Sequence, residues 1–200
     1  MNYYYNNEGI GDTLLIDFLL ESQDVTVERK GDTAVIKTAD GDVVGANLFN
    51  ASKYIAIEGK GKIKANDELV NKIKAVLAQN GFELSLVSDT EPDFIVGYVK
   101  EKEAHPDADK LSVCQVDVGS RTLQIVCGAP NVEAGQHVVV AQIGALMPSG
   151  MVIKESELRG VRSEGMICSA RELGLPNAPA KKGILVLDPS NQAGTPFISE

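Results

Sequence analysis

The first half of the chain alternates short apolar runs with turn residues, as a small antiparallel sheet requires. Residues 14–20 form an apolar run of strand length, and the β-branched segments 25–28 and 33–37 flank a Lys-Gly-Asp turn typical of a hairpin. At residues 66–79 the apolar side chains recur at helical spacing, behind a potential N-cap at Asn66. One amphipathic helix beside a small sheet predicts an α+β domain.

From residue 94 onward the pattern predicts many short strands separated by glycine turns. Residues 111–118 alternate apolar and polar side chains, and Gly97 marks a point where the strand at 94–99 could bend. Further strands are predicted at residues 122–127, 137–143 and 183–187. About five such strands in roughly a hundred residues favour a small closed barrel, of which the oligonucleotide-binding (OB) fold is the obvious example. An immunoglobulin-like sandwich is the alternative, but the chain has no Trp for its Cys…Trp…Cys pattern.

The two patterns are separated by a polar, proline-containing stretch at residues 86–93. Such a composition is typical of a linker between domains. We therefore predict a small α+β domain over residues 1–88 and an all-β OB barrel over residues 89–200. A chain of 200 residues has the length for two small domains.

Composition excludes several classes of protein. No apolar run is long enough to span a bilayer, and the first residues lack a secretory signal, so we expect a cytoplasmic location and no membrane partner. The three cysteines have no C-x-x-C spacing and sit among apolar neighbours, which predicts reduced, buried thiols.

Charge is unevenly distributed along the chain. The net charge is −9, which argues against indiscriminate nucleic-acid binding, yet residues 150–182 hold six basic and four acidic side chains. Cations on strands and turns make a rigid electropositive face that suits phosphate binding, whereas an ordinary solvated β-surface is the alternative. Residues 53–74 contain six lysines and three acids. This segment could contact the same RNA, and an ordinary solvated surface is again the alternative.

No catalytic, metal or cofactor site emerges from the sequence. The two histidines, His105 and His137, have no Cys or Glu at ligand spacing, and no His precedes His105. The segment 105–110 is best explained as a turn fixed by its Pro and Asp residues, although Lys110 is also placed to meet a phosphate. For Asn131, which follows a strand ending in small residues, a backbone approach to RNA and a simple strand terminator remain equally open.

Five short sequence motifs occur in a fixed order along the chain. Each motif alone is weak evidence for a family, but the five together are specific. They are residues 105–111, 126–132, 140–150, 158–169 and 172–175, and the fourth is the most detailed (LRGVRSEGMICS). Together they resemble the tRNA-binding OB domain of bacterial phenylalanyl-tRNA synthetase beta chains, over about residues 93–197. The whole chain resembles the stand-alone YtpR type of tRNA-binding protein.

The resemblance implies a non-catalytic protein that recognises the shape and phosphate backbone of tRNA. It implies RNA contact for Arg159, Arg162, Ser163, Met166 and Ser169, and we add Lys110, Asn131 and Lys154. It also suggests a homodimer or an aminoacyl-tRNA synthetase as further partners. The acidic total favours one alternative, a protein-interaction OB module with weak or no RNA binding. An enzyme with its site in the first domain is a second alternative, which the missing paired acid and base argue against.

Overall fold

The chain divides into two compact units, Met1–Glu91 and Pro92–Glu200, and a computed structural model describes residues 1–198. Most of the regular structure in both units is β-strand, with few helices. None of the helices in residues 1–198 is long and apolar enough to cross a membrane.

The first unit is an antiparallel sheet covered on one face by a helix. Its strands follow the spatial order β3-β4-β5-β2-β1-β6. The elements are β1 (Asn2–Tyr5), α1 (Asn7–Ile10), β2 (Thr13–Asp17), β3 (Val25–Lys30), β4 (Thr33–Thr38), β5 (Val43–Phe49), β6 (Gly61–Ile63) and α2 (Asp67–Gln79).

The predicted hairpin and the predicted helix of this unit are confirmed. Gly31 turns β3 into β4 at a φ of 57°, a value that glycine adopts readily. The Asn66 side chain caps α2 by accepting a hydrogen bond from the Leu69 amide at 2.9 Å. The apolar face of α2, which includes Ile73 and Leu77, is buried in one core with the sheet. Each side chain buried in this way contributes about 1.5–3 kcal/mol.

Other parts of the first unit differ from the prediction. The strand predicted over residues 14–20 ends at Asp17, because the Asp17 carboxylate accepts a hydrogen bond from the Leu19 amide and Leu19 has a φ of 61°. Strands β1 and β6 were not predicted, although β1 lies inside the sheet. The unit is therefore more extensively β than the pattern indicated.

The second unit contains the predicted strands and several shorter ones. Five strands form a path in the order β13-β10-β7-β8-β9, with β14 paired to β10 and with β11 and β12 forming a separate hairpin. The elements are β7 (Phe94–Ala104), β8 (Ser112–Asp117), β9 (Thr122–Cys127), β10 (His137–Ala141), β11 (Ser156–Leu158), β12 (Val161–Ser163), β13 (Met166–Ile167) and β14 (Val186–Leu187).

The segment between β12 and β13 joins the two ends of this path. The Glu164 amide donates to the Gln124 carbonyl of β9 at 2.8 Å, just before the chain enters β13 at the opposite end. Gly165 makes the bend at a φ of 148°, where a Cβ atom would lie 2.8 Å from the Ala141 carbonyl oxygen. No other residue fits this position, and the result is a closed, barrel-like sheet.

The barrel interior is apolar and contains two of the three cysteines. Val99, Val116 and Ile125 are fully buried there together with Cys114 and Cys127. Cys168 is buried in an adjoining cluster. The prediction of free, buried thiols is confirmed, and burial raises the pKa of Cys114 to about 11 and that of Cys168 to about 12.

Candidate nucleic-acid interface

The β7–β8 turn is tied to the β11–β12 hairpin by one buried histidine. His105 is 5% exposed, and its Nε2 lies 2.9 Å from the Leu158 carbonyl oxygen. Its Nδ1 accepts a hydrogen bond from the Asp107 amide at 3.1 Å, so the proton resides on Nε2 and is donated to Leu158. The turn at residues 105–110 was correctly interpreted as structural, and its anchor is this imidazole.

Arg159 lies at the tip of the hairpin, beside that turn. Arg159 and Gly160 have φ values of 48° and 81°, and positive values at both central positions are what a type I′ turn requires. The Arg159 guanidinium donates to the Asp107 carbonyl oxygen at 3.4 Å. The exposed Lys110 belongs to the same turn. The structure therefore places Arg159 against the turn that carries Lys110, another of the predicted contact residues.

Arg162 is exposed but already neutralised by carboxylates. Its guanidinium binds both carboxylate oxygens of Glu155, and its Nη2 lies 3.3 Å from Glu164 Oε1. The Arg162 side chain is still 59% exposed. Hydrogen bonding and charge from Arg162 lower the pKa of Glu155 below its ordinary value. The sequence suggested a free cation here, and the structure shows a paired one.

Ser163, for which the sequence predicts RNA contact, is buried in the structure. The residue is 2% exposed. Its Oγ accepts a hydrogen bond from the Val126 amide at 3.1 Å and donates to the Gly165 carbonyl at 3.2 Å. The hydroxyl therefore takes the place of a backbone partner on the edge of β9, where it helps to close the barrel.

Ser169 and Met166 occupy supporting positions near β13. The Ser169 hydroxyl and amide both bind the Glu172 carboxylate at 2.7 Å, and the Glu172 amide returns a bond to Ser169 Oγ at 3.2 Å. This reciprocal pattern is a capping box around a short turn. Met166 is half-buried and packs against the cluster that contains Cys168. Both residues keep part of their surface accessible.

Asn131 clamps a distant segment of backbone. Its side-chain oxygen accepts from the Ile184 amide at 2.8 Å, and its side-chain nitrogen donates to the Ile184 carbonyl at 3.1 Å. The amide group is thus engaged within the protein, which favours the structural alternative for this residue. Lys154 is half-buried before β11 and also takes part in an interaction within the chain.

Sequence reasoning missed the acidic partners and the histidine anchor. Glu155 and Glu164 were counted only as charges, and His105 only as a rejected metal ligand. The spacing of Ser169 and Glu172 is that of a capping box, so this pair was detectable. No sequence spacing indicates the pairing of Arg162 with Glu155, because this pairing depends on the position in space of the segment before β11. No cluster of potential metal ligands is found within residues 1–198.

The lysine-rich segment of the first unit is also largely paired. Lys72 binds Glu68 at 2.6 Å, and Lys64 binds Asp89 at 3.5 Å. The other lysines of the segment in ion pairs are Lys53, Lys60 and Lys62. These contacts leave little of the net positive charge that the sequence indicated.

Comparison with known proteins places both units in one family. A family model described as "Putative tRNA binding domain" matches residues 94–196, and a model described as a domain of unknown function matches residues 21–89. The chain is 54% identical over 203 residues to the Putative tRNA-binding protein YtpR of Bacillus subtilis (strain 168), across 98% of this chain and 99% of that protein. The chain belongs to the YtpR family. Membership in the YtpR family covers the first unit as well as the barrel.

More distant similarities are confined to part of the chain. The phenylalanine–tRNA ligase beta subunit of Staphylococcus aureus (strain MRSA252) is 47% identical over 137 residues, which cover 64% of this chain but only 17% of that subunit. The solved structure of a MetRS related protein from Pyrococcus horikoshii is 20% identical over 52% of this chain and 88% of its own, with a TM-score of 0.40.

Proposed function

We propose that this chain is a non-catalytic tRNA-binding protein. The observation that carries the proposal is the near full-length identity to a YtpR protein named for tRNA binding. The matching tRNA-binding family model covers the same unit in which the β11–β12 hairpin, with Arg159, contacts the β7–β8 turn that carries Lys110. We assign the second unit, Pro92–Glu200, to the OB fold and the first unit, Met1–Glu91, to the α+β class, a division three residues beyond the domains 1–88 and 89–200 proposed from the sequence.

The mechanism follows from how these cations are held. A type I′ turn and a buried histidine fix the backbone on either side of the contact, so little ordering remains to be done when RNA arrives. Phosphate contacts of this kind set position and affinity without reading the base sequence. Arg159 and Lys110 would contact phosphate first, with Lys154 beside the hairpin, while Met166 and Ser169 offer surface for shape recognition. Ser163 and Asn131 would act by positioning.

Arg162 would join the interface only by exchanging partners. Its carboxylate partners, Glu155 and Glu164, must be replaced by a phosphate. Glu155 is exposed, whereas the half-buried Glu164 carboxylate also accepts a hydrogen bond from the Gln124 amide at 3.1 Å, so Glu155 is the partner that a phosphate would displace first. Because the protein carries a net charge of −9, its long-range field opposes weak contacts and favours a defined docking site.

Two further parts of the proposal concern location and partners. A cytoplasmic protein of this kind would meet tRNA either as a homodimer or together with an aminoacyl-tRNA synthetase. Light scattering at micromolar concentration tests the homodimer, because a mass near 21.3 kDa would show a monomer. Removal of residues 1–88 tests whether the first domain adds affinity, since its lysines are mostly paired with acids.

The deciding experiment is a titration of fluorescently labelled bulk tRNA with the full-length protein at several salt concentrations. Binding through phosphates requires the logarithm of the affinity to fall linearly with the logarithm of the salt concentration. Arg159→Ala together with Lys110→Ala should weaken binding to all tRNAs alike. A parent protein that binds no tRNA at low salt would favour the alternative, an OB module that binds other proteins.

A further inference from the structure

A second group of cations consists of Arg171, Lys181 and Lys182, in the segment between β13 and β14. The Arg171 guanidinium donates to the carbonyl oxygens of Pro179 and Ala180, at 3.5 and 3.3 Å. These two bonds hold residues 179–180 against the turn that contains Arg171. Lys181 and Lys182 follow directly in the chain and are exposed.

The other side of this lysine pair is anchored by Asn131. The Asn131 amide grips Ile184 through two hydrogen bonds, two residues after Lys182. A Cβ atom on the intervening Gly183 would lie 2.7 Å from the Asn131 side-chain oxygen, so glycine is needed for this close approach. The backbone that carries the two lysines is therefore fixed on both sides.

The turn at residues 128–131, which follows β9, lies between this lysine pair and Lys110. A Cβ atom on Gly128 would lie 3.2 Å from a Leu111 methyl carbon and 4.0 Å from the Lys110 carbonyl oxygen. Residues 128–131 thus contact the Lys110 turn at one end and Gly183 at the other. Lys110 and the pair Lys181–Lys182 border the same short turn.

These lysines differ from Lys100 and Lys102, two other lysines of the unit, in having no acidic partner. Lys100 is paired with Asp117 at 3.7 Å, and Lys102 with Glu133 at 2.9 Å. Within residues 1–198, Lys110, Lys181 and Lys182 form no ion pair. The carboxylate of Glu172, the residue that follows Arg171, is occupied by Ser169. In an acidic protein, lysines left without partners concentrate positive potential at one place.

We propose that Lys181 and Lys182, supported by Arg171, form a second phosphate-binding segment that continues the Lys110–Arg159 surface across the turn at residues 128–131. The ligand is the phosphodiester backbone of the same tRNA, so this inference rests on the proposed function. The RNA then contacts both sides of the turn. Asn131 and Gly183 serve it by fixing the backbone rather than by touching the RNA.

The test compares two variants with the same change in charge. Lys181→Ala/Lys182→Ala should weaken binding of labelled bulk tRNA and flatten the plot of log affinity against log salt by about two units, because each lysine that no longer meets a phosphate lowers the slope by close to one. Lys100→Ala/Lys102→Ala removes two lysines that are paired with acids, and it should change the slope by less than about half a unit. Lys181→Arg/Lys182→Arg should restore the slope of the parent protein.

Each outcome separates this inference from the proposed function. If the parent binds and Arg159→Ala weakens binding, but the Lys181/Lys182 variant matches its Lys100/Lys102 control, the second segment is refuted and the tRNA-binding function stands. If the parent does not bind tRNA, both fail. Thermal melting verifies folding, and because both lysines are exposed and unpaired within the described chain, the melting temperature should not change.

Discussion

The Nε2 atom of His105 lies 2.9 Å from the carbonyl oxygen of Leu158, and this contact makes the β7–β8 turn and the β11–β12 hairpin one surface. The two segments are more than fifty residues apart in the chain, yet the cations that they carry, Lys110 and Arg159, are held together by a single buried ring. The histidine thus connects the fold of the barrel to its proposed interface.

Replacement of His105 by Ala should loosen this surface and reduce stability. The change removes two hydrogen bonds and leaves a cavity, which together cost about 2–3 kcal/mol in the free energy of unfolding measured with urea. Hydrogen exchange at the Asp107 amide, which donates to the ring, should become faster. tRNA affinity should fall as well, because Lys110 and Arg159 would no longer be held at a fixed spacing. Unchanged exchange at Asp107 would show that the ring is not the anchor.

Replacement of Ser163 by Ala distinguishes a positioning role from RNA contact. The Val126 amide would lose its partner beside the buried Ser163 site, which costs about 1–3 kcal/mol. Ser156 lies opposite Ser163 in the hairpin register but is exposed, so Ser156→Ala is a matched control with little expected effect on stability. A Ser163→Ala protein that unfolds like the parent but binds tRNA poorly would instead restore the contact role.

Local sequence signals predicted the regular elements well. The Asn66 cap, the Gly31 turn and the alternation along β8 depend on neighbouring residues, and the structure contains all three. Gly97 illustrates the limit, because the irregularity in β7 lies between Val99 and Glu101. A Cβ on Gly97 would lie 2.7 Å from side chains of two neighbouring strands, so this glycine serves close packing. Sequence spacing alone does not reveal such contacts.

The candidate site was less predictable, for the same reason. Sequence identified the residue types and their order, but it did not reveal that the Ser163 side chain is buried or that the charge of Arg162 is paired. Both outcomes depend on the path of the chain between β10 and β12. This path contains few periodic residues, and its position is set by tertiary contacts such as that between Glu164 and β9.

Removal of Glu155, one of the two acids paired with Arg162, should strengthen tRNA binding. Glu155→Gln keeps the shape of the side chain but removes the bidentate carboxylate partner, so that Arg162 stays paired with Glu164 alone. Affinity should rise roughly two- to five-fold at moderate salt, as expected when one exposed ion pair no longer competes. Glu157 faces Arg162 in the strand register and carries the same charge, so Glu157→Gln is the matched control. An equal gain in both variants would point to net charge rather than to the pairing.

The buried thiols should make the second unit sensitive to alkaline pH. In the unfolded chain a thiol ionises near its ordinary pKa of 9.0, whereas burial raises the pKa of Cys114 to about 11 and of Cys168 to about 12. Below pH 9 the thiols are protonated in both states, and stability is fully retained. As the pH rises from 9 towards 11 and 12, only the unfolded state releases protons, so the free energy of unfolding falls. Each thiol should cost roughly 1 kcal/mol at pH 10.

Urea unfolding at pH 8 and pH 10 measures this effect when Cys168→Ala is compared with Val139→Ala. Both residues are fully buried in the same cluster, so each variant packs less well. Only Cys168→Ala removes a thiol that can ionise. The decrease in unfolding free energy between the two pH values should be about 1 kcal/mol smaller in Cys168→Ala than in the parent. In Val139→Ala it should equal that of the parent. Because the comparison is between pH dependences, the cost of the cavity cancels, and identical decreases in all three proteins would place the alkaline sensitivity in groups other than Cys168.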